Sequence, residues 1–191
     1  MKGIVFTCLN EMVEDTFGVA AWDDMLGQAH LDGVYTAADT YADAEMLALV
    51  GAMSDRTGTA PADLIREFGK YMLPKMAEQY PVFFPPGMVA RQFLLSVHDI
   101  IHVEVKKLFP DAELPTFQYE MPADDQLVMV YRSRRQLCVL AEGLIEGAAA
   151  YFGEQLRYKQ SQCYHQGDDH CRIEICFMGP GTRGDENDNC Q

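Results

Sequence analysis

Tyr131, Ser133 and Arg135 occupy every second position at the end of the segment 127–135. Side chains two apart on an extended strand point to the same face. The spacing therefore predicts a phenol, a hydroxyl and a guanidinium lined up along one side of one strand. Together they offer two O–H donors and a planar fork of N–H donors. Arg binds carboxylate bidentately, and hydroxyls fill the remaining lone pairs. The predicted chemistry is a cradle for one or two carboxylates. The chain carries a net charge of −14, so a carboxylate ligand would need such a local anchor.

An imidazole upstream suggests what the cradle holds. Residues 93–109 read as one helix, because Leu94, Val97, Ile101, Val105 and Leu108 recur at steps of three and four. Pro110 ends it. His98 and His102 stand on it, four residues apart. A histidine among Leu, Ile and Val is either a satisfied core residue or an axial ligand to haem iron through a neutral ring nitrogen. Haem is a flat apolar disc with two propionates. It needs an apolar slot, an iron ligand and a propionate anchor, and the sequence offers all three.

His102, Pro115 within Glu113-Leu114-Pro115-Thr116-Phe117, and Tyr131-x-Ser133-x-Arg135 resemble the H-NOX family, the haem nitric oxide/oxygen-binding domains. The start Met1-Lys2-Gly3-Ile4-Val5 and the stretch from Lys106 to Pro115 are similar to it as well. The resemblance covers residues 1–178. It implies an α+β fold, with a helical N-terminal (distal) lobe and a mixed helix/antiparallel-sheet C-terminal (proximal) lobe enclosing a haem. The distal lobe would take about residues 1–62, the proximal lobe about 63–178, and 179–191 would be a flexible tail.

Carried over residue by residue, the resemblance makes His102 the proximal iron ligand. It assigns Tyr131, Ser133 and Arg135 to the propionates of a haem b. Pro115 would press on the porphyrin, and Val5 and Ile4 would crowd it from the first helix. A proline at a strand start and plain core packing are the competing readings of these last three. In O₂-binding members a distal tyrosine stands nine residues after the motif tyrosine; here that position is Leu140. The places matching its polar partners hold Leu9 and Pro74. Bound O₂ carries shifted charge and gains from a distal donor, whereas NO depends on one much less. The implied function is a nitric oxide sensor, with CO as a further ligand, that discriminates against O₂ and signals by release of His102. Stand-alone bacterial members act on a separate histidine kinase or cyclic-di-GMP enzyme, an expectation resting on analogy alone.

Composition sets the outer bounds. The 191 residues suffice for one domain or two tightly joined lobes. The acidic balance argues against a nucleic-acid surface and an anionic membrane. No apolar run reaches spanning length, and the start lacks the features of a secretory leader, which predicts a cytoplasmic protein. Helices are expected at 3–16, 20–29, 43–55, 61–79 and 136–152. Paired strands are expected at 115–121 and 126–132, and a hairpin at 155–164 and 171–177 around Gly167.

Six cysteines without a leader point to free thiols, metal ligation or redox sensing rather than a disulfide framework. Cys163 and Cys171 flank the Gly167 turn, so a symmetric hairpin would set them face to face. Some bacterial H-NOX proteins carry a zinc held by three cysteines and a histidine. Cys138, Cys163 and Cys171 match the cysteines, but Gln160 stands where the histidine would be. His165, His170 or Cys176 are the alternatives for a fourth ligand of a tetrahedral zinc; packing thiols or a disulfide are the competing readings.

The rival function is a zinc- or thiol-based redox sensor within the same fold, which leaves the tyrosine-serine-arginine register unexplained. An enzyme is not expected. His98 and Asp99 are adjacent on a helix and project in different directions, which argues against a catalytic dyad.

Overall fold

The computed structural model describes residues 1–178; the tail expected at 179–191 lies outside the described residues. Helices α1 (Gly3–Phe17), α2 (Val19–Ala29), α3 (Asp43–Thr57) and α4 (Pro61–Gln79) come first. Proline at the first position of α4 needs no N–H partner there, and Gly58, at φ 69°, closes α3 in the left-handed region. These helices bury Phe6, Leu9, Val13, Met25, Leu49 and Met53 in one apolar cluster. Ile4, Val5 and Leu140 are half-buried against it.

A second cluster follows the sheet. Strands β1 (Thr116–Glu120), β2 (Gln126–Arg132), β3 (Gln155–Gln162) and β4 (Cys171–Met178) form one antiparallel sheet in the order β1-β2-β4-β3. Leu127, Ile173 and Ile175 are closed from solvent on it, each worth about 1.5–3 kcal/mol of burial. Helix α7 (Cys138–Phe152) packs on the sheet and on α4, joining the two clusters. The α4–α7 approach is close enough to require glycine. A Cβ at Gly143 would stand 2.1 Å from the Arg66 carbonyl oxygen. Beside this seam, Arg66 donates to the buried Glu142 carboxylate at 2.8 Å.

The expected single helix over 93–109 is interrupted. It comprises α5 (Ala90–Ser96), a π-helical turn at Val97–Ile101, and α6 (His102–Leu108). The His102 N–H reaches back five residues to the Val97 carbonyl. Periodicity does not reveal one extra residue in a turn, and such turns recur at functional sites.

The predicted strand through Arg135 is also corrected: β2 ends at Arg132. Its last partner on β1 is Thr116. The next pair would oppose Ser133 with Pro115, which has no N–H to give. The chain turns instead, with Gln136 N–H donating to the Ser133 carbonyl at 3.2 Å.

Candidate functional site

Three rings run from the histidine helix onto the sheet. The His102 ring centroid lies 5.9 Å from that of Phe117, and Phe117 lies 5.6 Å from Tyr131. Phe117 and Tyr131 are direct register partners of β1 and β2, which places both side chains on one face. Two bonds dock β1 on the helix. Tyr119 donates to the Leu94 carbonyl at 2.8 Å, and Phe117 N–H donates to His98 Nδ1 at 3.5 Å.

His102 is held as a neutral base. Burial pushes its pKa down to about 4, neighbouring His98 acts the same way, and the Pro115 backbone opposes them. Its Nδ1 is buried without a hydrogen-bond partner. A neutral imidazole is the form that ligates a metal. Pro115 is half-buried just before β1.

The motif donors gather through a turn rather than along a strand. Tyr131 is buried, and its hydroxyl accepts the Leu137 N–H at 3.1 Å. The Ser133 hydroxyl accepts the Arg135 N–H at 3.1 Å and hydrogen-bonds the Tyr131 phenol. Arg135 Nε donates to Asp43 at 2.8 Å, and its Nη1 donates to the Glu113 carbonyl at 2.6 Å. Gln136 follows at φ 52°, a left-handed conformation uncommon outside glycine. A pocket of about 310 Å³ opens beside Arg135, lined also by the Met1 ammonium end, Lys2, Tyr41, Asp43 and Asp111.

On the other cluster, Ile4, Val5 and Leu140 present apolar side chains. Leu9 is buried in that cluster and Pro74 stands inside α4. Sequence reasoning missed Phe117 and Asp43. Alternation with Tyr119 could have marked Phe117 as facing the core. Nothing local links Asp43 to Arg135, 92 residues away.

Cys138, Cys163 and Cys171 come together. All three are buried, with their sulfur atoms within 4.8 Å of one another, and Cys138 and Cys163 are 3.8 Å apart. The hairpin is not symmetric throughout: the β3–β4 register shifts between Gln160 and Gln162, and the shifted pair Gln162–Arg172 brings Cys163 beside Cys171. Burial raises the Cys138 thiol, and pushes that of Cys171 up to about 12.

Among the described residues, none of the three expected fourth ligands joins the group. Cys176 is disulfide-bonded, and strand alternation turns it away from Cys171, Ile173 and Ile175. His165 Nε2 lies 2.9 Å from the Gln136 carbonyl, to which it donates. His170 Nδ1 lies 2.5 Å from Asp169. The Gln160 amide faces Cys138 instead, and its Nε2 is buried without a hydrogen-bond partner.

Comparisons with known proteins agree on one family. A family model described as haem-NO-binding matches residues 2–160. An H-NOX protein from S. oneidensis, solved in the Fe(II)NO ligation state, is 31% identical, with a TM-score of 0.88 over 94% of this chain and 100% of that one. The Fe(II) unliganded H-NOX protein from K. algicida is 31% identical, with a TM-score of 0.85 over 96% and 100%. The S. oneidensis SO2144 H-NOX domain in the Fe(II)CO state is 30% identical, with a TM-score of 0.86 over 94% and 100%. No curated protein matches the chain. Among the described residues, no helix is long and apolar enough to cross a membrane.

Proposed function

The chain belongs to the haem-NO-binding family, and on that premise we propose a nitric oxide sensor that discriminates against O₂ and signals to a separate protein. The observation that carries this reading is the half-buried, neutral His102, whose Nδ1 is buried and unpartnered. It stands beside a turn that gathers Tyr131, Ser133 and Arg135. This donor set fits a haem b. When bound, ferrous haem supplies the iron that takes NO or CO.

His102 would hold the iron from the proximal side. Arg135 keeps N–H donors beyond the three given to Asp43, the Glu113 carbonyl and the Glu113 carboxylate, and these would take a propionate with help from Tyr131 and Ser133. Pro115, Ile4 and Val5 would press on the ring, and Leu140 would line the gas side. Leu140 offers no hydrogen bond to O₂, Leu9 none either, and the Tyr35 hydroxyl is committed to Glu45 at 3.0 Å. That lack of donors selects against O₂ and leaves NO little affected.

Signalling would use the helix. His102 sits where the π-helical turn meets α6. On release it would swing with α6 against β1, a two-state element biased by the gas. A histidine kinase or cyclic-di-GMP enzyme is the class of partner proposed. The cysteine trio supports a second metal: three thiols within 4.8 Å suit zinc, and a redox sensor based on that group is the alternative function.

Purified protein supplied with haem should show a strong Soret band. His102→Gly should lose haem or hold it weakly, and added imidazole should restore it by filling the vacancy. A variant with the wild-type ferrous spectrum and no imidazole would rule His102 out as ligand. No Soret band after haem supplementation would sink the sensor reading.

A further inference from the structure

The ring row does not stop at Tyr131. On β2 its register partner is Phe117 on one side and Cys171 on the other. Directly paired residues share a face, so the row runs His102, Phe117, Tyr131, Cys171. Beyond Cys171, past a register shift in the β3–β4 pairing, lies Cys163, with its sulfur within 4.8 Å of that of Cys171. The Tyr131 hydroxyl also accepts the N–H of Leu137, the residue that precedes Cys138 at the start of α7. One phenol thus touches the strand bearing one thiol and the helix start bearing another. Leu140 lies two residues further along α7, so the same helix start leads into the gas-side wall.

We propose that the Cys138–Cys163–Cys171 trio, when it holds a thiophilic divalent cation, is coupled through Tyr131 to the propionate cradle, so that metal at the trio tightens haem binding. The inference rests on the haem reading above and adds a control to it. The trio is a built site. Its sulfur atoms converge and are buried, and an amide nitrogen with no hydrogen-bond partner faces it from Gln160. A cation there exchanges the thiol protons for metal–sulfur bonds, releasing the protons to solvent. It pins β3's end, β4 and the first residue of α7 to one point. Leu137 N–H and the Cys171 strand are then fixed, and Tyr131 is held between them in the position the cradle needs. Without metal, β3 and β4 keep their ladder pairing and His165 keeps its bond to the Gln136 carbonyl, but the three thiols themselves meet only through packing and weak sulfur contacts.

Coupling of this kind is reciprocal: haem must tighten metal binding by the factor by which metal tightens haem. The test uses the full chain, haem-loaded, either zinc-replete or stripped with a chelator. Haem loss to an excess of a haem-scavenging apoglobin is followed by absorbance. Haem should leave the stripped protein at least about fivefold faster, the low end of coupling between sites. Zinc affinity, read by chelator competition, should be tighter in haem-loaded than in haem-free protein by a matching factor. In Tyr131→Phe, haem should leave faster in both metal states, with the difference between them largely gone.

Equal haem-loss rates with and without zinc overturn the coupling, as does a zinc effect of full size in Tyr131→Phe. Cobalt(II) titration of stripped protein separates the causes of failure. If no thiolate-to-cobalt absorption develops, the trio is no metal site and the proposal falls. A cobalt signature with no Soret band defeats the haem reading, and the coupling with it. Both signatures with equal rates defeat the coupling alone.

Discussion

Arg135 Nε donates to the Asp43 carboxylate at 2.8 Å, across 92 residues of chain, and the Met1 ammonium lies 2.9 Å from the same oxygen. The first turn of α3 is thereby pinned to the turn after β2. Burial works to raise the Asp43 carboxyl, but hydrogen bonds from Arg135 and the ammonium outweigh it and hold it below the usual range. A carboxyl lowered by folding stabilises the protein above its unfolded pKa of about 3.9. That contribution is lost as pH falls through the lower folded value.

Asp43→Asn should therefore cost stability at pH 7, and the gap from the wild type should close as pH drops below about 4. The Asp43 side chain is 43% exposed, so screening keeps the effect to about 1 kcal/mol or less. Urea midpoints at pH 7 and pH 3 check it. A gap as wide at pH 3 as at pH 7 would show that the carboxylate charge is not what matters.

Leu140→Tyr should introduce a hydroxyl on the gas side, where the half-buried Leu140 packs against the distal cluster. Ferrous wild-type protein should keep its spectrum on gentle aeration, while the variant should shift measurably. A hydrogen bond to a charge-bearing acceptor is worth about 1.5–3 kcal/mol at best. The gain should be smaller, because Leu9 and Pro74 provide no supporting polar network. A wild-type spectrum that changes to a stable O₂-bound form would overturn the discrimination.

Much of this arrangement was legible in the sequence, for identifiable reasons. Period-two and period-3.6 patterns are local, so the start of β2 and the proline-led α4 could be placed from alternation and the leading proline. The alternation of Tyr131, Ser133 and Arg135 named the right donors but the wrong backbone. Whether a strand continues depends on its partner, and here the partner begins after Pro115. The π-helical turn before His102 leaves no trace in an apolar pattern that tolerates one extra residue. Asp43 could not be found at all, because an acid in the first turn of a helix is commonplace. The thiol trio was legible through the family resemblance, since the Gly167 turn bears only on Cys163 and Cys171 and says nothing of Cys138 on α7. The trio's fourth ligand was not, because His165 is taken up by the distant Gln136 carbonyl and His170 by its neighbour Asp169.

Gly143→Ala tests the seam between the clusters. Its Cβ would stand 2.1 Å from the Arg66 carbonyl oxygen, so α4 and α7 must part. Overpacking of this kind costs about 1–3 kcal/mol, or several degrees in Tm. The same shift moves Arg66 from Glu142, a buried carboxylate, which adds to the loss. Thermal unfolding followed by circular dichroism reads the outcome, and an unchanged Tm would mean that the helices separate freely.

Gln160→His should convert three ligands into four. Gln160 lies on the core-facing side of β3, with its amide against Cys138. Its Nε2 is already buried without a hydrogen-bond partner, so the native residue leaves a polar atom unmet. An imidazole there would bring a nitrogen toward the trio, giving the three-cysteine, one-histidine set that suits tetrahedral zinc. Zinc affinity should rise by at least about tenfold, the low end of what supporting groups around a metal contribute. Competition against a chromophoric chelator measures it. Cys138→Ala placed in the Gln160→His background should abolish the gain, since one cysteine of the set is then missing. If Gln160→His binds zinc no more tightly than the wild type, the amide's approach to Cys138 is packing, and the fourth ligand must come from water or from elsewhere in the chain.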